Sequence, residues 1–198
     1  MAVTRERFVQ GMTYDDFKAQ MTRNQERFAA NEGRFELDMK DLAAFQKLAK
    51  PVNVLVIAED WCGDVIDNLP ILGRIAQSSE KLNLKVFLRD KNLDLIDQYL
   101  KEGKFRSIPV FVFLDDNFNE LGRFIERPQV VTERRAQRRQ EIYAQHPEFG
   151  SLETPIDQLP ENVRTDLQQA MNAMREELKP QDNQEVVNAL RAIVEKAS

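Results

Sequence analysis

A single cysteine, Cys62, stands in a chain of 198 residues, so no internal disulfide can form. That excludes a disulfide-stapled secreted scaffold and fits a reducing compartment. The lone histidine, His146, has no nucleophile near it in sequence and reads as a surface residue. Basic residues are in the minority: 28 Lys and Arg against 33 Asp and Glu give a formal net charge of -5. Nucleic acid and anionic membranes both require a basic footprint, so neither is expected as the main partner. No apolar run approaches the roughly 20 residues that a membrane helix needs. Residues 1–10 carry charges and no apolar h-region, so a secretory signal is not expected and the cytoplasm is. A glycine-rich phosphate loop, a zinc-ligand cluster and Ser–His–Asp spacing are all missing, so no cofactor and no metal is expected.

What is present is an ordinary globular composition, 42% hydrophobic and 31% charged, with enough apolar material for a core. Internal repeats and low-complexity tracts do not occur. Three zones separate by pattern: 1–50, 51–146 and 147–198. In the first, Thr13 with Asp16 is placed to cap a helix carrying Tyr14, Phe17, Met21 and Phe28, with a stop at Asn31-Glu32-Gly33. Asp38 can cap a second helix with the stripe Leu42, Phe45 and Leu48.

The middle zone alternates strand and helix signals. Val52–Ala58 is a nearly continuous apolar run, as expected of a strand buried on both faces. Helix follows from Cys62 to Gln77 with Pro70 as a kink site, then strand over 84–88, helix over 93–100, strand over 110–114 and strand over 121–125. Asp115-Asp116-Asn117 reads as a hairpin turn, and 132–145 as a further helix. Long crossovers imply parallel pairing first, and the short turn an antiparallel final hairpin. The expected architecture is α/β, a mixed sheet flanked by helices. In the last zone a linker precedes two expected helices, one with Val163, Leu167, Met171, Met174 and Leu178, the other with Val187, Leu190 and Val194. Lys179-Pro180-Gln181-Asp182 is expected to separate them, with Asp182 and Glu185 as a capping box. These stripes require burial, against the core or against a second copy of the chain.

The chemistry concentrates in Glu59-Asp60-Trp61-Cys62-Gly63-Asp64-Val65, where a buried strand ends and a helix begins. A thiol there faces unpaired amides and the positive end of the helix dipole, which stabilise a thiolate. Glu59, Asp60 and Asp64 oppose a further anion. A cysteine so placed is either a nucleophile or a small buried apolar residue, and Trp61 is either part of the surface around it or core. With Asp67, these carboxylates read as helix-start acids rather than a cation site. Arg134, Arg135, Arg138 and Arg139 read as a solvated face beside Glu133 and Glu141.

The segment Val54–Val65 resembles the strand and redox motif of the thioredoxin family, in particular bacterial thioredoxin-like proteins carrying Trp-Cys-Gly-Asp-Cys. Ser107-Ile108-Pro109-Val110 is similar to the loop holding that family's cis-proline, and the element order agrees from about Val52 to Arg127. The resemblance implies a thioredoxin-like fold over 51–146, with helical extensions over 1–50 and 147–198, the first packed on the core. It implies Cys62 as nucleophile, Trp61, Gly63 and Asp64 around it, and Ile108 and Pro109 facing an extended substrate. Two departures matter. Val65 stands where the family's resolving cysteine would be, and Val56 where its buried acidic residue would be. A dithiol enzyme resolves its mixed disulfide with the second thiol. Here exchange would follow a monothiol route, with a protein or low-molecular-weight thiol as partner. The alternative is a catalytically silent binding module that holds a peptide between Trp61 and Pro109.

Overall fold

A computed structural model describes residues 3–196. Its centre is the four-stranded sheet in the order β2-β1-β3-β4, with β1 at Val52–Ala58, β2 at Leu82–Leu88, β3 at Val110–Leu114 and β4 at Glu120–Ile125. β1 is flanked by strands on both sides, parallel to β2 and antiparallel to β3, and both its faces are covered. That environment selects the unbroken apolar run read from the sequence. β3 and β4 form the antiparallel hairpin, with Phe111 stacked on its cross-strand partner Phe124 at 5.1 Å between ring centres. The turn between them is fixed by Asp115, whose carboxylate accepts the Asn117 and Asn119 amides.

The N-terminal zone holds α1 (Arg5–Phe8), α2 (Tyr14–Gln20), α3 (Gln25–Arg34) and α4 (Met39–Gln46). Thr13 and Asp16 form the expected capping box, and Asp38 caps α4. The single helix expected from Thr13 to Gly33 is broken at Met21–Asn24, because the amides there are drawn to a carboxylate elsewhere in the chain. Phe8, Phe17, Phe28 and Phe45 all enter the main apolar cluster. Met12 exchanges backbone hydrogen bonds with Val86 at 2.9 and 2.8 Å, which closes the outer edge of β2.

α5 (Gly63–Ser79) connects β1 to β2 and contains Pro70. The helix expected over 93–100 is confined to α6 (Leu93–Ile96), and α7 spans Gln129–Gln145. A larger correction concerns the C-terminus. The expected helical pair is one helix, α8 (Glu161–Glu195), which continues through Pro180. Asp182 is therefore no cap: it lies inside the helix, 3% exposed, and its carboxylate receives Arg134 and Arg135, both at 2.7 Å. Two of the arginines expected to face solvent are thus bound to a buried acid.

The chain forms two compact units by contact, one holding residues up to Pro128 together with those from Val186 onward, the other Gln129–Glu185. These units cut across the zones 1–50, 51–146 and 147–198. In the first unit, Val186, Val187, Leu190 and Val194 join the apolar cluster of the sheet, and Ile193 reaches the backbone of Gly122 on β4. A Cβ on Gly122 would lie 2.8 Å from Ile193, so the approach requires glycine. In the second unit, Ile142, Tyr143, Phe149, Leu159, Leu167 and Met174 form a separate cluster. The second C-terminal stripe is thereby buried within the chain itself, and the first in part, with Leu167 and Met174 buried and Val163, Met171 and Leu178 half-buried. No helix among the described residues is long and apolar enough to cross a membrane.

Candidate functional site

β1 ends at Ala58, and the turn through Glu59, Asp60 and Trp61 delivers Cys62 to the N-cap of α5. Cys62 has an extended backbone, and its side chain makes no cap hydrogen bond. Cys62 is half-buried, and its thiol donates to the Ile108 carbonyl at 3.4 Å. The Ile108–Pro109 peptide bond is cis. The motif cysteine and the proline loop, 46 positions apart in sequence, therefore meet at the same end of the sheet.

A shallow groove of about 360 Å³ opens over the sulfur, lined by Trp61, Cys62, Asp64, Arg89, Ile108 and Glu126 among others. Trp61 is 39% exposed, with the Arg89 guanidinium 4.6 Å from the centre of its ring. That contact holds the indole as a wall of the groove. Phe105, 55% exposed, is a second aromatic lining residue. Gly63 is the first residue of α5, and Pro109 lies immediately before β3. Val65 and Val56 are both fully buried, Val56 between Val86 and Phe111 in the sheet register.

The three acids expected to oppose a thiolate are each engaged elsewhere. The Asp60 carboxylate accepts the Thr22 and Arg23 amides at 2.7 and 3.1 Å, the interaction that breaks the N-terminal helix. Asn24 donates to the Asp60 carbonyl at 2.8 Å, so residues 22–24 clasp the turn before the cysteine. Glu59 accepts the Asp90 amide at 2.8 Å. Burial pushes the Glu59 carboxyl above its ordinary range, with the Asp90 hydrogen bond acting against the rise. Asp64 is paired with Arg127. Arg27 likewise pairs with Asp67 at 2.9 Å. These acids serve as anchors for neighbouring segments.

Ser107 belongs to the proline-loop motif, whereas Arg89, Phe105, Arg106, Glu126 and Arg127 were not legible as site residues. They come from the loop after β2, the turn before the cis-proline and the end of β4, and no local motif marks them. The sequence signal that did exist was topological: each follows or precedes a strand at the end where Cys62 sits.

A thioredoxin family profile matches residues 11–140, and the chain belongs to this family. The fold agrees with solved structures over nearly the whole chain. A crystal structure of a Pseudomonas aeruginosa protein of unknown function is similar at a TM-score of 0.68 and 20% identity, covering 99% of each chain. An HIV epitope-scaffold is similar at a TM-score of 0.64 and 20% identity, covering 99% of this chain and 100% of its own. At such identity the likeness concerns the fold. No curated protein matches the sequence.

Proposed function

We propose that this protein exchanges thiols and disulfides through Cys62 alone, in the reducing setting of the cytoplasm. The observation that carries the reading is the placement of the Cys62 sulfur. It lies at the N-cap of a 17-residue helix, open to a groove, and against the carbonyl that precedes a cis-proline. A thiolate there attacks one sulfur of a disulfide, forming a bond to Cys62 and expelling the other sulfur with the electron pair. Val65 offers no second thiol, so an external thiolate must attack the mixed disulfide and release Cys62 in its original state. The partner is a protein or low-molecular-weight thiol or disulfide. Ile108 and Pro109 supply backbone for an extended substrate, beside Trp61 and Asp64.

The burial of Val65 and Val56 favours a second reading, in which the groove between Trp61 and Pro109 holds a peptide without covalent exchange. Incubation with oxidised glutathione, followed by intact-mass measurement, separates the two. Under monothiol exchange the native chain acquires one glutathione faster than the denatured chain at the same pH, and reduced glutathione removes it. A native cysteine that reacts no faster than the denatured one would leave only the binding role.

A further inference from the structure

Glu126 has a backbone conformation that glutamate rarely adopts, with φ at 61° in the left-handed region. It immediately follows β4 and lines the groove over Cys62. Every polar part of the residue is used. Its amide donates to the Pro109 carbonyl at 2.7 Å. Its own carbonyl accepts from the Asn68 side chain, on α5, at 2.8 Å. Its carboxylate receives Lys101 at 2.7 Å and Arg127. Arg127 in turn holds Asp64 in the first turn of α5.

One residue is therefore attached by backbone to the proline loop at Pro109, by side chain to Lys101, whose amide donates to Phe105 in the turn leading into that loop, and to the cysteine helix twice, directly at Asn68 and through Arg127 at Asp64. Glycine would adopt this φ without steric opposition and could still make both backbone bonds. It could not reach Lys101 or Arg127. Left-handed residues other than glycine persist where the surroundings enforce them, and they concentrate at functional sites. We infer that Glu126 is a positioning residue, one that fixes the Ser107–Pro109 loop relative to Cys62 so that an extended disulfide substrate meets the sulfur in line.

This inference rests on the proposed exchange reaction, and the experiment distinguishes the failure of one from the failure of the other. The probe is a short cysteine peptide activated as its mixed disulfide with thionitrobenzoate. Attack by the Cys62 thiolate forms the Cys62–peptide disulfide and breaks the bond to thionitrobenzoate, which leaves with the electron pair as a coloured thiolate. Iodoacetamide serves as a second probe that needs no docking loop. Glu126→Gly is expected to lower the peptide rate by about tenfold or more, the scale of a misplaced near-attack geometry, with alkylation changed by less than about twofold. Glu126→Gln keeps an acceptor for Lys101 and is expected to recover part of the loss. Lys101→Ala should reproduce part of it independently, and it keeps the test open should Glu126→Gly fold poorly. Equal peptide rates in wild type and all three variants would overturn the positioning role. A parallel fall in both probes would do the same, since it would indicate a general disturbance of the sulfur. Failure of the wild-type chain to release thionitrobenzoate would instead overturn the exchange reaction itself.

Discussion

The ring of Tyr14, at the start of α2, lies so close to Gly73 on α5 that a Cβ built on the glycine would stand 2.3 Å from the ring's Cζ. Its hydroxyl continues past the helix to donate to Glu32 at 2.7 Å. The cysteine-bearing helix is thus seated on the N-terminal zone through the one kind of residue that permits contact at this distance. Burial and the Glu32 carboxylate together push the Tyr14 hydroxyl far above its ordinary titration range.

Gly73→Ala is expected to destabilise the fold by about 1–3 kcal/mol, the range for forced overpacking, although alanine is the better helix former. Urea denaturation reads the effect. Combining it with Tyr14→Leu should recover part of the loss, and additive losses would mean the ring is not the obstacle.

Asp60→Ala removes the acceptor shared by the Thr22 and Arg23 amides. A charged acceptor of this kind contributes about 1.5–3 kcal/mol. The loss should appear in denaturant unfolding and as faster hydrogen exchange at those two amides. Unchanged exchange would show that residues 22–24 are held by something other than this carboxylate.

Glu59 supplies a pH signature. Its folded-state value is raised, first by burial. A raised group adds stability that is complete below its unfolded value, about 4.5, and is lost as the pH climbs through the folded value. Glu59→Gln cannot lose that contribution. The variant should therefore gain on the wild type between pH 4 and pH 7, as measured by urea unfolding at both. A difference that is constant or moves the other way would show that the buried carboxyl carries no net desolvation cost.

Pro180 lacks an amide proton, and its ring crowds the carbonyl four residues earlier. Pro180→Ala within the continuous α8 should raise stability by roughly 1–3 kcal/mol, up to the full proline penalty in a helix interior. A lower melting temperature in calorimetry would mean that the helix requires the local deformation.

Pro180 also marks where sequence reading was outweighed. A proline followed by Asp182 and Glu185 has the local form of a stop and a restart. What overrides it is tertiary: the apolar residues on either side of it are committed to two different clusters, and the Asp182 carboxylate is claimed by Arg134 and Arg135. No local pattern contains that information, because its partners lie 47 and 48 positions away. β1 was legible for the opposite reason, since a strand enclosed on both faces writes its environment into consecutive residues. The caps at Thr13 and Asp38 were equally plain, being interactions among residues two to three positions apart. At the site, the meeting of Cys62 with the proline loop followed from family resemblance. Arg127 and Glu126 stayed hidden because each acts across the ends of different strands.

The sheet-bearing unit also has a history imposed by the direction of synthesis. Its strands are translated well before residues 186–196, yet Val187, Leu190 and Val194 belong to the same cluster as Val54 and Leu55. A nascent chain lengthens at about 5–20 residues per second, and N-terminal domains commonly fold as they emerge. Here the segment that seats Ile193 against Gly122 is made after every strand of the sheet. Until those residues have been made, the face that they cover is apolar surface for a chaperone to shield.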